Sequence, residues 1–280
     1  MTILVTGARG QIGRAVLTTL HARGLPVRAA SKDPSALDLP AGIEAVALRG
    51  DDPESLTAAL ENVRQVFLYA DPGTATTFVR AAEQAGVEHV VLLSSSAVDS
   101  PDAASNPIGA SHLAVEKALA ASTLATTILR PGGFDSNAFG WIPAVSAGQP
   151  IEHAYPDAAL AMIHPLDIAD IAVAALTSPE LRGRTVSLTG PEAISFRAQI
   201  AALSEAIGRE VPIVTITPEQ AQAQLSQTMP PYIVDALLTI WALTTEQPET
   251  PADTTGTLLG VPGRTFAQWA RENAAAFTAA

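Results

Sequence analysis

The first thirteen residues constrain this chain more than any other stretch. Thr2-Ile3-Leu4-Val5-Thr6 is a short β-branched and apolar run, and Gly7-Ala8-Arg9-Gly10-Gln11-Ile12-Gly13 follows it at once and opens a stretch of helical periodicity. A second apolar run, Val27-Arg28-Ala29-Ala30, arrives at the distance a strand–turn–helix–strand unit requires. Three glycines at this spacing are weak evidence alone in a chain that has 19 of them, so the context carries the argument. In that context Gly7 makes the tight turn, Gly10 lets backbone approach a pyrophosphate, and Gly13 lets the helix pack closely on the strand. The helix N-terminus offers Gln11 and Ile12 amides and a partial positive charge to phosphates. A dinucleotide is the ligand this arrangement implies.

The rest of the first half repeats the pattern. Strands are expected at Thr2–Thr6, Val27–Ala30, Glu44–Leu48, Gln65–Leu68, His89–Leu93 and Thr126–Leu129, with helices at Gln11–Arg23, Pro53–Glu61, Gly73–Ala85 and Pro107–Ser122. Ile3 to Val5, Val66 to Leu68 and Val90 to Leu93 are apolar without alternation, as central strands buried on both faces are. The rhythm breaks after Arg130-Pro131-Gly132-Gly133, and a helix at Pro165–Leu176 and a strand at Thr185–Thr189 return to it. Beyond these, Ser195–Gly208 reads as an amphipathic helix, Val211–Ile216 as a strand, and Thr244–Thr255 as a polar linker. The expected fold is α/β: a Rossmann doubly wound parallel sheet with a smaller α/β C-terminal substrate domain. Residues 1–132 with about 163–190 would form the nucleotide domain, and 133–162 with 191–280 the smaller one covering the substrate.

Composition narrows the function classes. With no cysteine there are no disulfides, thiolate metal sites or thiol nucleophiles, so redox chemistry needs a cofactor. A formal charge of −12 opposes nucleic-acid binding. The five histidines, His21, His89, His112, His153 and His164, show no i,i+4 metal spacing, and no metal is expected. Apolar runs are short of membrane length, and the N-terminus lacks a basic leader, so a cytoplasmic chain with no membrane partner is the expectation. Monomer and homodimer are both open.

The end of the second strand bears on which dinucleotide. An NAD site usually places Asp or Glu there, whereas this chain has Ala29-Ala30-Ser31-Lys32. A hydroxyl and an ammonium suit a ribose 2′-phosphate, and Arg9 could close on the same group. NADP(H) is therefore expected in preference to NAD(H), with Asp33 one residue on as the opposing, NAD-like feature. Asp51, just past the third strand, is a candidate acceptor for the adenine amino group.

Several stretches together resemble one family. Thr6 to Gly13, Val27 to Pro34, Val90 to Ser96, Thr127-Ile128-Leu129-Arg130-Pro131-Gly132-Gly133-Phe134, Pro165-Leu166-Asp167-Ile168-Ala169 and Leu259 to Phe266 resemble the NmrA-like branch of the atypical short-chain dehydrogenases. Within it the likeness is to festuclavine-synthase-like reductases and then to quinone-oxidoreductase-like members. The resemblance implies a Rossmann core with a later, smaller domain over the nicotinamide. It also implies cofactor contacts at Leu68 and Ala70 after the fourth strand, at Ser94 after the fifth, and at Pro131 and Gly133 after the sixth.

The chain departs from the wider family at the catalytic dyad. Short-chain dehydrogenases carry Tyr-x-x-x-Lys on the helix after the fifth strand, commonly with Glu four residues past the lysine. Aligned on Glu116, the lysine place holds His112 and the tyrosine place Ile108. Ser95, beside Ser94 and Ser96, remains at the site of the family's hydroxyl. Two readings stay open. In one the protein passes hydride to a small organic acceptor, aromatic ones included, such as an iminium ion, a quinone or a conjugated carbonyl, that needs little acid help. His112 would then hold the nicotinamide ribose or give a proton, with Tyr69 and Lys117 as weaker candidates. In the other the protein is a non-catalytic redox sensor that binds NADP(H) and acts through a protein partner. Trp141, Tyr155, Met162, Met229, Tyr232 and Trp241 are candidates for an apolar lid, against the plainer reading that they are core.

Overall fold

The computed structural model describes residues 2–69 and 71–278. The first part of the chain lays down β1 (Thr2–Val5), α1 (Gln11–Ala22), β2 (Val27–Ser31), β3 (Glu44–Ala47), α2 (Pro53–Leu60), β4 (Val63–Tyr69), α3 (Ala75–Ala85), β5 (His89–Leu93), α4 (Pro107–Ala120) and β6 (Ala125–Pro131). Then come α5 (Ile142–Ser146), β7 (Ile151–His153) and β8 (Ala159–Leu160), followed by α6 (Pro165–Thr177) and β9 (Thr185–Leu188). The last part forms β10 (Ile194–Ser195), α7 (Phe196–Ile207), β11 (Ile213–Thr215), α8 (Pro218–Leu225), α9 (Pro231–Glu246), α10 (Thr254–Leu259) and α11 (Phe266–Thr278). Two compact units result: Met1–Pro131 with Pro165–Ser187, and Gly132–His164 with Leu188–Ala280.

The first unit is a doubly wound α/β sheet. Seven strands lie in the order β3-β2-β1-β4-β5-β6-β9, and every pairing among the first six is parallel. The strand order reverses between β1 and β4, which creates a switch point at their carboxyl ends. Leu4, Val66, Leu68, Val90 and Leu92 point into one core with Leu56 and Leu60 of α2, Phe78 of α3 and Leu119 of α4. The alternate residues Val5, Phe67 and Val91 are also fully buried, on the other face, where α6 meets β4, β5 and β6 and packs on α1. Burial on both faces is why these strands carry no polar alternation.

Local signals start and stop the helices. Asp52 caps α2, accepting from the Glu54 and Ser55 amides ahead of Pro53, and Asn106 does the same for α4 with Ile108 and Gly109 ahead of Pro107. Gly86 ends α3 in the left-handed conformation. Arg28 is a charge inside β2, and it is fully committed. Its Nε donates to Glu44 at 2.7 Å, and its Nη1 donates to the carbonyls of Ala59 and Glu61 at 2.9 and 2.8 Å, closing the end of α2.

In the second unit α7 packs on α11, and Trp269, Phe266, Phe277 and Leu203 make its core. Two small sheets complete it, β8 with β10 antiparallel and β7 with β11 parallel. The expected polar linker at Thr244–Thr255 is corrected here. Helix α9 continues to Glu246 with Thr244 buried and its hydroxyl bonded to the Ile240 carbonyl, while Thr254 already starts α10. Threonines that satisfy a carbonyl one turn back can stay helical where composition suggests a loop. Among the described residues no helix is long and apolar enough to cross a membrane.

Candidate functional site

The glycine turn sits at the carboxyl end of β1, beside the switch point. Gly7 has φ of +64°, a left-handed conformation that a side chain would strain, and its carbonyl accepts the Gly10 amide at 2.9 Å. A methyl group placed on Gly13 would drive into the Gly7 peptide, 2.7 Å from its carbonyl carbon, so only glycine lets α1 sit this close to the turn. Gly10 is exposed and its own methyl would stand 3.3 Å from the Gly7 oxygen. Helix α1 begins with Gly10 at its cap, no side-chain cap and no acid in its first turn. The amides of Gln11, Ile12 and Gly13 at that end suit an anionic diphosphate, and the bare surface at Gly7 and Gly10 leaves it room. Arg9 and Gln11 are exposed beside it, whereas Ile12 turns into the core.

At the end of β2 the opposing candidates separate. Asp33 is turned onto its own chain: its carboxylate accepts the Ser35 hydroxyl at 2.6 Å and the Ser35 amide at 3.1 Å, capping a 3-10 turn at Pro34–Ala36. The Ser35 hydroxyl, above all, holds the Asp33 carboxyl below the usual carboxylate range. Ser31 closes the same turn, donating to the Asp33 carbonyl and accepting its amide, and Lys32 is exposed. Asp51 is exposed in the turn before α2.

The ends of β4, β5 and β6 carry the remaining candidates. Thr6 is buried, and its hydroxyl oxygen accepts the Tyr69 amide at 2.7 Å, tying β4 to the glycine turn. Tyr69 itself is 60% exposed, while Leu68 faces the core under α2 and α3. Ala70 lies outside the described residues. Ser94 is 4% exposed and its hydroxyl donates inward to Glu116 at 2.6 Å, whereas Ser95 accepts the Ala97 amide and caps the turn after β5. Ser95 is the more open of the two. Glu116 is gripped by Arg130 through Nε at 3.0 Å and through Nη2, and Arg130 reaches on to Asp99, which also accepts the Ser187 hydroxyl at 2.8 Å. The resemblance pointed to Ser94 as a cofactor contact and to Glu116 as the family's glutamate, but nothing in the sequence tied them to Arg130 in one buried network.

His112 stands one turn before Glu116 on α4, half-buried, with Nδ1 enclosed and without a hydrogen-bond partner. Burial lowers its pKa, partly opposed by the Glu116 charge, so the ring is neutral at pH 7. Ile108 is half-buried in the first turn of the same helix, and Lys117 is exposed. Pro131 ends β6, and Gly133 belongs to the second unit, where a methyl group on it would meet Met162 Sδ at 2.6 Å.

In the second unit Trp141, Tyr155, Met162 and Trp241 do gather into one cluster around Phe196 and Leu160; Met229 and Tyr232 do not belong to it, and Tyr232 is 49% exposed. His153, to which the sequence reading gave no role, lies between Phe196 and Trp241 at ring-centroid distances of 4.0 and 4.6 Å. Burial pushes its pKa down to about 4, and the Tyr155 amide donating to Nδ1 requires the lone pair of a neutral ring. The surface depression at His21, Leu25 and Glu44 lies at the amino ends of the strands, away from the glycine turn.

A parallel sheet with this glycine turn at its switch point defines a Rossmann dinucleotide-binding protein. Known proteins agree with that class. A sequence family described as NAD(P)H-binding matches residues 7–179. The chain is 36% identical to a (4-alkanoyl-5-oxo-2,5-dihydrofuran-3-yl)methyl phosphate reductase of Streptomyces griseus, over 98% of this chain and 99% of the relative. It is 35% identical to an NAD(P)H azoreductase of Xenophilus azovorans, over 99% of this chain and the whole relative. In fold it resembles an NADPH-dependent quinone oxidoreductase of Escherichia coli solved with NADPH, with a TM-score of 0.82, 24% identity and coverage of 97% and 99%. The chain belongs to the NAD(P)H-binding, NmrA-like family of atypical short-chain dehydrogenases and reductases.

Proposed function

We propose that the protein is an NADPH-dependent reductase that passes a hydride to a small, conjugated organic acceptor without a Tyr-Lys dyad. The observation that carries this reading is the end-to-end likeness to two reductases combined with an intact phosphate cradle at Gly7, Gly10 and Gly13. NADPH, when bound, supplies the hydride. The chain's own part is to hold and shield. The first turn of α1 holds the diphosphate, and Arg9 with Lys32 takes the 2′-phosphate. The carboxylate of Asp33 is spent on Ser35, which removes the NAD-like acceptor and supports NADPH over NADH.

Ile108 has no proton to give, and His112 is neutral at pH 7. We assign His112 to hydrogen bonding the nicotinamide ribose and Ser95 to the acceptor end of the same site. Without a standing acid, acceptors that need no early proton are favoured. An iminium ion becomes a neutral amine on receiving hydride, and a quinone or conjugated carbonyl becomes a delocalised anion that takes its proton afterwards from water. The name of the Streptomyces griseus relative's substrate spells out such a conjugated carbonyl.

The test is a calorimetric titration with NADPH, NADP⁺, NADH and NAD⁺, followed by NADPH oxidation with quinones, cyclic imines and alkanoyl-butenolides. Binding of NADPH with turnover of one of these classes supports the proposal. Tight binding with no turnover across all three would favour a non-catalytic redox sensor, and no binding would overturn the cofactor assignment itself.

A further inference from the structure

Tyr69 is the large side chain that the fold has least reason to expose where it does. It terminates β4, the strand across the switch point from β1, and it is 60% exposed at a position where Phe67 and Leu68 just before it are buried. Its backbone is not loose. The Tyr69 amide is bonded to the buried Thr6 hydroxyl oxygen at 2.7 Å, and the strand is in register with β5 up to Tyr69 itself, opposite Leu93. Its ring is seated against the glycine turn: a methyl group on Gly7 would come to 3.1 Å from Tyr69 Cβ and 3.4 and 3.5 Å from Cγ and Cδ2. One edge of the ring is thus fixed on the turn while most of its surface remains open to solvent.

We propose that Tyr69 is a binding wall of the dinucleotide site that works through the face of its ring, and not a proton donor working through its hydroxyl. The inference rests on the cofactor assignment above. The argument is one of position and of cost. A solvent-exposed aromatic gives up favourable burial, and its Cβ end already lies against Gly7, so a ligand that covers the rest of the ring gains apolar contact. A dinucleotide lying along Gly7 and Gly10 has the ring beside it, and covering the ring removes its apolar face from water and dries one side of the phosphate cradle. That drying strengthens the amide–phosphate bonds. A proton donor would instead need its hydroxyl at the acceptor.

Three variants separate the possibilities: Tyr69→Phe, which keeps the ring; Tyr69→Leu, which keeps apolar bulk; and Tyr69→Ala. NADPH dissociation constants come from quenching of protein fluorescence or calorimetry, kcat comes from the best acceptor, and thermal denaturation without ligand reads the fold. The proposal expects Phe to match the wild type within twofold in both Kd and kcat. It expects Ala to raise the NADPH Kd roughly fivefold to tenfold, with Leu in between and the unliganded melting point unchanged in all three. A loss of kcat beyond tenfold in Tyr69→Phe with Kd preserved would overturn it and make the hydroxyl the working group. An unchanged Kd in Tyr69→Ala would also overturn it and leave the ring a solvated surface group. If the wild type itself binds no NADPH, it is the cofactor assignment that has failed, so the two failures are distinguishable.

Discussion

Single residues here divide sharply into those spent on the fold and those left for a ligand. Glu116 and Arg130 belong to the first kind. Glu116 is 6% exposed and Arg130 is its charged partner, so Arg130→Met leaves a buried carboxylate with only the Ser94 hydroxyl. Urea denaturation should show a loss of about 3 kcal/mol, and Glu116→Leu in the same chain should restore much of it, because the cost lies in the stranded charge and not in the absent pair. Arg9 and Lys32 are exposed, and we have proposed them for the 2′-phosphate. Replacing both with alanine should weaken NADPH about tenfold and leave NADH within twofold, as read by calorimetry.

His153 adds a pH signature at the same scale. Its pKa falls from 6.5 to about 4 on burial between Phe196 and Trp241. A depressed histidine binds its proton more readily in the unfolded chain, so the stability it contributes is whole above pH 6.5. That stability, about 3 kcal/mol at most, is lost as pH falls from 6.5 to 4. Denaturation midpoints measured across that window should drop with falling pH, and His153→Phe should flatten the drop. His89 has the same direction and the same low value, and it stays neutral inside the sheet with its Nε2 at 2.9 Å from the Thr127 hydroxyl. Since Thr127 donates its own proton to the Leu181 carbonyl, the His89 proton sits on Nε2.

Among elements, the junction of β1 and α1 is the one on which the proposed cofactor binding rests. Gly13→Ala and Gly10→Ala differ by one methyl at two places, yet they should fail differently. The first drives carbon into the Gly7 peptide and should cost about 1–3 kcal/mol of stability as well as NADPH binding. The second meets only the Gly7 oxygen at 3.3 Å and points to the ligand side, so its loss should fall mainly on NADPH affinity, with the melting point nearly kept. This junction was legible in the sequence because glycine's roles are dictated by backbone within one turn. Strand β5 was legible to the residue, His89 to Leu93, for a similar reason: a run buried on both faces needs no partner to declare itself. The short pieces of the second unit were not legible. Strands β8 and β10 have two residues each, and two residues acquire an extended pairing only from the chain opposite. The Ser94–Glu116–Arg130 contact was hidden too, since its members lie 22 and 14 positions apart on a strand end, a helix and another strand.

At the level of the whole molecule, neither unit is a continuous piece of chain. The first unit is interrupted by Gly132–His164 and completed by Pro165–Ser187, which supply the helix packed on α1 and the strand β9 that ends the sheet. Ligand linkage gives a measurement at this scale. NADPH at a hundred times its Kd should stabilise the protein by about 2.7 kcal/mol, and its melting point should keep rising with concentration beyond saturation.

The same interruption sets a schedule for synthesis. The glycine turn leaves a ribosome well before Pro165–Ser187 does, and the sheet it serves cannot close until Ser187 has followed Pro131. At about 5–20 residues per second that interval lasts roughly 3 to 11 s. Throughout it, the flank of α1 that will meet α6 is an open apolar surface on a nascent chain, and this is the period in which a chaperone has something to hold.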